Sequence, residues 1–161
     1  MTKEEGRAIS EVVFALRDRR DEVARRWSDS LAEAVSDDYR EVLESPIGVR
    51  LVRKTLEDLV SFTEAEDYQA AAALRRIGEE AAAEAGRRAA LGFELDDLLA
   101  ARQALRTALW AVLVDALVVG DLPSPGETME QMKRIDSFLD TLMRAEVGGY
   151  LAARSGAVDA E

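Results

Sequence analysis

The sequence predicts an all-α protein, and three observations carry that prediction. Ala, Leu, Glu and Arg, all good helix formers, dominate the 161 residues. Three prolines and ten glycines leave little room for the turns of a sheet. Apolar residues recur at steps of three and four along most of the chain, which places them on single helix faces. The length suits one domain with a real core. Five to six helices over residues 1–154 account for the pattern, and "SGAVDAE" at 155–161 is expected to be a disordered tail or the start of a linker.

The first stripe is Ile9, Val13, Leu16, Arg20, Val23, Trp27, Leu31 and Val35. It fits one helix over about 7–36, or two with a bend near Asp18 to Asp21. "SPIG" then marks a boundary, because Ser45 can cap a helix and Pro46 suits its first position. The helix that follows carries Ile47, Leu51, Val52, Leu56, Leu59 and Val60, and "TEAED" breaks it. A helix over about 67–91 lines up Ala70, Leu74, Ile77, Ala81, Ala85 and Arg88. Its small residues, with Gly78 and Gly86, would let a neighbouring backbone come close, and Gly92 suits a left-handed C-terminal cap.

The next helix spans about 94–119, with Glu94, Asp96 and Asp97 at its positive end and Gly120 closing it. "DLPSPG" is the clearest loop. Ser124 and Glu127 have the spacing of a capping box for a last helix reaching about Arg154, about 45 Å long at the standard rise. Met132, Ile135, Leu139 and Leu142 keep heptad spacing in it, which Glu146 interrupts before Met143, Val147 and Tyr150 take over the stripe.

Charge and composition exclude more than they assign. With 21 Lys and Arg against 32 Asp and Glu, the net charge of -11 opposes a phosphate-tracking nucleic-acid surface. No apolar run reaches the roughly 18–20 residues of a membrane span, since "ALWAVLVDALVVG" is too short and carries Asp115. The opening "MTKEEGR" is unlike a secretory signal, so a cytoplasmic location is expected.

Cys and His are both absent. Disulfides, thiolate chemistry, the usual zinc and iron–sulfur ligands, the commonest general base and the usual haem ligand are therefore missing. A carboxylate di-metal bundle normally also needs His, and "SDDYR" and "TEAED" lack calcium-loop spacing. "EVGGYL" has neither the lysine nor the strand of a phosphate loop. No catalytic residue, cofactor site or metal site is expected, and the chain reads as a non-enzyme.

The stretch "LLAARQALRTALW" sets two permanent cations in an apolar stripe. Arg102 and Arg106 share a face with Leu95, Leu98, Leu99, Leu105, Leu109 and Leu113. Unpaired guanidiniums are costly to bury, so both need acids, carbonyls or a wet cleft. Two expectations follow. The first is pairing with acids of neighbouring helices or of a second subunit. The second is an anion site in which Arg102 or Arg106, walled by Trp110, grips the carboxylate of a small or fatty acid. Arg20 and Arg88 also interrupt apolar faces, which favours polar seams between helices.

An early Trp27-x3-Leu31, the "SPIG" break and "AGRRAALGFELDDLLAARQALRTALW" form an ordered set. From about Val12 to Arg154 the chain resembles the RsbRD N-terminal-like domain, the helical sensory module of RsbR-type stressosome proteins and of some bacterial sensor kinases. The resemblance implies a haem-free, globin-like or bundle-type sensor that is not an enzyme. It also implies a homodimer that passes a signal through its C-terminal helix to a STAS or kinase output domain. Met132, Ile135, Leu139 and Leu142 are then candidates for the dimer or signal helix. The sequence reads either as a free-standing module or as the front end of a longer protein, and a long helix ending in a loose tail favours the second. The alternatives are a small-acid-binding helical domain and a structural interaction module.

Overall fold

The computed structural model describes residues 11–158 except Val13 and Pro123. Among the described residues there are seven helices and no strand. We label the helical residues 11, 12 and 14–18 α1. The others are α2 (Arg20–Ala34), α3 (Asp37–Glu44), α4 (Pro46–Glu64), α5 (Asp67–Ala90), α6 (Leu95–Val118) and α7 (Pro125–Val158). The chain is therefore all-α as expected, with one helix more than the upper expectation of six.

Two features raise the count from five to seven, the first of them already among the expected alternatives. The first stripe is two helices, because Arg19 leaves helical geometry at φ -105, ψ 16. The hydrogen bonds Arg19 N to Ala15 O and Val23 N to Arg19 O continue across it at 3.1 and 3.0 Å, so the chain bends without losing its ladder. Ile9 and Val13 of that stripe lie outside the described residues. The second is α3, where no helix was expected. Ser36 caps it by accepting from Tyr39 N, Asp37 and Asp38 sit at its positive end, and Tyr39 and Leu43 bury one face.

The expected signals at the other ends hold. Ser45 Oγ accepts from Gly48 N, with Pro46 in the first turn of α4. Gly92 and Gly120 take φ +88 and +81. In both turns a later N–H reaches back over the helix end: Phe93 N to Arg88 O at 3.1 Å and Asp121 N to Ala116 O at 2.9 Å. Ser124 and Glu127 form the reciprocal capping box. Helix α7 runs past the expected end near Arg154 to Val158, so the first four residues of the expected tail are helical; 159–161 lie outside the described residues.

The helices close a ring. α2 packs on α6, α6 on α7, α7 on α5, α5 on α4, and α4 returns to α2. α6 runs antiparallel to α2 and to α7, as shown by the pairs Arg26–Asp115, Arg102–Glu146 and Arg106–Asp140. α5 and α7 run parallel through a seam of small residues: Gly78 faces Ala145, Ala82 faces Gly149, and Gly86 faces Gly149 and Ala153. A Cβ on Gly149 would lie 2.6 Å from the carbonyl carbon of Ala82, so the two backbones meet only because this residue is glycine. Phe138, Leu139, Ile135, Leu109 and Leu113 fill the centre of the ring. Each such side chain contributes about 1.5–3 kcal/mol of burial.

Candidate functional site

The α6–α7 interface answers the question posed by the arginines. At α6's four-residue spacing, Arg102, Arg106 and Trp110 point at α7. Arg102 forms a two-point contact with Glu146, Nε at 3.4 Å to Oε2 and Nη2 to Oε1. The side chains are only 15% and 12% exposed, so this is a largely buried pair. Arg106 pairs with Asp140 through Nη2 and lies 3.5 Å from Asp136 through Nε. Trp110 Nε1 donates to Asp136 at 3.0 Å. The two cations thus meet carboxylates of a neighbouring helix, and Glu146, which interrupts the heptad of α7, is one of them.

Arg102 also belongs to a second constellation. Six helices converge on a cavity of about 90 Å³. Trp27 reaches it from α2, Tyr39 from α3, Thr55 from α4, Glu84 and Arg88 from α5, Arg102 from α6 and Glu146 from α7. Arg88 is the most deeply buried cation there, its side chain 6% exposed. Its Nε donates to Glu84 Oε1 at 2.9 Å, and its guanidinium carbon stands 5.8 Å from the centre of the Tyr39 ring. Glu84 is shared, because Arg87 also donates to it from the outside. Burial pushes the Tyr39 phenol up to about 12, with Arg88 opposing and Glu146 reinforcing the shift.

A larger cleft of about 430 Å³ lies on the other side of Trp27, Leu43 and Val52. Leu16, Leu31, Leu56 and Val60 extend its apolar lining. Arg17, Arg20 and Arg53 are matched there by Asp21, Glu44 and Glu57, so the cleft favours neither sign of charge. Trp27 is already satisfied, its Nε1 donating to Ala101 O at 2.8 Å.

The expected site residues therefore separate. Arg102 lines the small cavity, whereas Arg106 and Trp110 engage Asp136 and Asp140 farther along the seam. Met132, Ile135, Leu139 and Leu142 are 2%, 1%, 0% and 2% exposed within the single chain. Their stripe seats α7 in its own core, and a subunit contact on α7 would have to use the opposite side. Tyr39 and Thr55 were not singled out from sequence, and Glu84 was read with its neighbouring carboxylates as part of a solvated face. Arg88 was marked only as a break in an apolar face, a signal that, like Arg102, led toward the cavity. Among the described residues no group of three or more carboxylates could hold a metal ion, and no helix is long and apolar enough to cross a membrane.

A family model described as the RsbT co-antagonist protein rsbRD N-terminal domain matches residues 21–160. No curated protein and no solved structure matches the chain. The matched span begins at the second residue of α2 and runs beyond the end of α7, so it includes every helix that builds the ring and the cavity. The chain belongs to the RsbRD N-terminal domain family.

Proposed function

We propose that this protein is the input module of a bacterial signalling protein, pairing with a second copy and passing a stimulus through α7 to an output domain of STAS or kinase type. Family membership supports the coarser part of this reading, a stressosome-type sensor domain, and the family is not one of enzymes. A cytoplasmic setting goes with that role.

The observation that carries the mechanism is the way α7 is held. It is the longest helix, 34 residues or about 51 Å, and it touches α4, α5 and α6. On one side Arg106 divides itself between Asp136 and Asp140, which stand one helical turn apart. On the other side Gly78, Gly86 and Gly149 let α7 lie close against α5, with glycine and alanine meeting there. A small slide of α7, less than one turn, would pass Arg106 from one carboxylate toward the other while carrying the end of α7 with it. Transmission needs two packings of similar energy and a stimulus that favours one of them. For pairing, the C-terminal end of α6 offers Val114 and Val118, with Val119 just beyond it, which are 45%, 80% and 68% exposed. Apolar surface of this kind suits a contact with a second copy.

Native mass spectrometry tests the pairing. A homodimer is expected. A strict monomer at the highest attainable concentration would remove the dimer from the proposal.

A further inference from the structure

We infer that the small cavity where six helices converge binds a small monocarboxylate, gripped by the free fork of Arg88. This goes beyond the sensor reading and rests on the cavity alone.

Arg88 offers five N–H donors, of which only Nε has a hydrogen-bond partner among the described residues, Glu84. The two terminal amino groups have none, although the side chain is 94% buried and lines the cavity. Neither amino group is sealed off from the cavity, so both can donate to an acceptor that enters it. A carboxylate supplies two oxygens at the spacing of the guanidinium fork.

The charges that line the cavity balance, Arg88 and Arg102 against Glu84 and Glu146, so an anion would be drawn by the hydrogen-bonding fork of Arg88 and not by net charge.

Size sets the ligand class. About 90 Å³ is several times the roughly 10–15 Å³ that one water needs, and well below the roughly 300–1,000 Å³ of pockets for drug-sized molecules. Leu98, Ala101 and Leu105 supply an apolar wall for a short alkyl group. The hydroxyl of Tyr39, kept protonated by burial, can donate to a ligand oxygen.

The test is a thermal-shift and calorimetric titration of the whole chain with sodium propanoate, with propanamide as the neutral isostere at matched ionic strength. Propanoate should raise Tm in a saturable way, by about 5–10 °C at a hundred times its Kd, and propanamide should not. Arg88→Gln should weaken propanoate binding at least tenfold. Thr55→Leu, which fills part of the cavity without changing charge, should do the same and serves if Arg88→Gln does not fold. The inference is overturned if propanoate gives no shift, if propanamide matches it, or if binding survives Thr55→Leu. Subunit pairing is read separately by mass spectrometry, so loss of the ligand proposal and loss of the sensor proposal are distinguishable.

Discussion

Adjacent glycines in α7 should respond to the same substitution with opposite signs. Gly148 is exposed and a Cβ there meets nothing within 4 Å. Gly148→Ala therefore returns only the helix-propensity gain, about 0.5–1 kcal/mol of added stability. Gly149→Ala gains the same propensity but drives its methyl group into the backbone of Ala82, 2.6 Å from the carbonyl carbon. Neither atom belongs to a side chain that can rotate away, so α5 and α7 must separate by about 1 Å. That loosens the neighbouring contacts of Gly86 with Gly149 and Ala153, at 3.5 and 3.7 Å. Overpacking of this sort costs about 1–3 kcal/mol, more when backbones are forced apart. The propensity gain cancels between the two variants, so they should differ by the overpacking cost, about 1–3 kcal/mol, with Gly149→Ala the less stable. Urea unfolding followed by circular dichroism would show this as midpoints about 1 M apart, at an m-value of about 2 kcal/mol/M. If Gly149→Ala were as stable as Gly148→Ala, the two helices would not cross backbone to backbone at Ala82.

Other perturbations test the seam, the cavity and the caps. Arg102→Met should cost about 2–4 kcal/mol by leaving the largely buried Glu146 unpaired, and adding Glu146→Leu should restore all but about 1 kcal/mol; a double variant that costs the sum of the singles would show that the pair is not coupled. Tyr150→Phe removes the 2.8 Å hydrogen bond to Phe93 O and should cost about 1 kcal/mol, read as a lower urea midpoint. Tyr39 links the cavity to pH: the fold favours the neutral phenol, so its contribution is complete below pH 10 and is lost as pH rises from 10 to about 12. That loss amounts to about 2–3 kcal/mol and should vanish in Tyr39→Phe; parallel alkaline stability curves for the two proteins would count against it. Ser124→Ala breaks the capping box and should destabilise by about 1 kcal/mol in the same unfolding assay.

The sequence by itself determined the helices wherever the signal was local. Ser45 and Pro46, Gly92, Gly120, and Ser124 with Glu127 mark ends because capping and positive-φ geometry involve only neighbouring residues. The buried stripes of α5 and α7 follow from periodicity, since a 3.6-residue repeat puts Ile77 and Ala85, or Ile135 and Leu142, on one face whatever covers it. Helix α3 was missed because eight residues give barely two turns of pattern, and its acidic start resembles a solvated loop.

Only the tertiary structure decided what each face meets. A buried arginine announces that it needs a partner, but Arg102 and Glu146 are 44 residues apart and nothing local joins them. The heptad of Met132, Ile135, Leu139 and Leu142 is equally compatible with a subunit contact and with the protein's own core, and the closed ring puts it in the core. The cavity belongs to no single segment. It exists because six helices bring one or a few residues each to the same point, and such a convergence is set by the packing of whole helices rather than by the spacing of residues along any one of them.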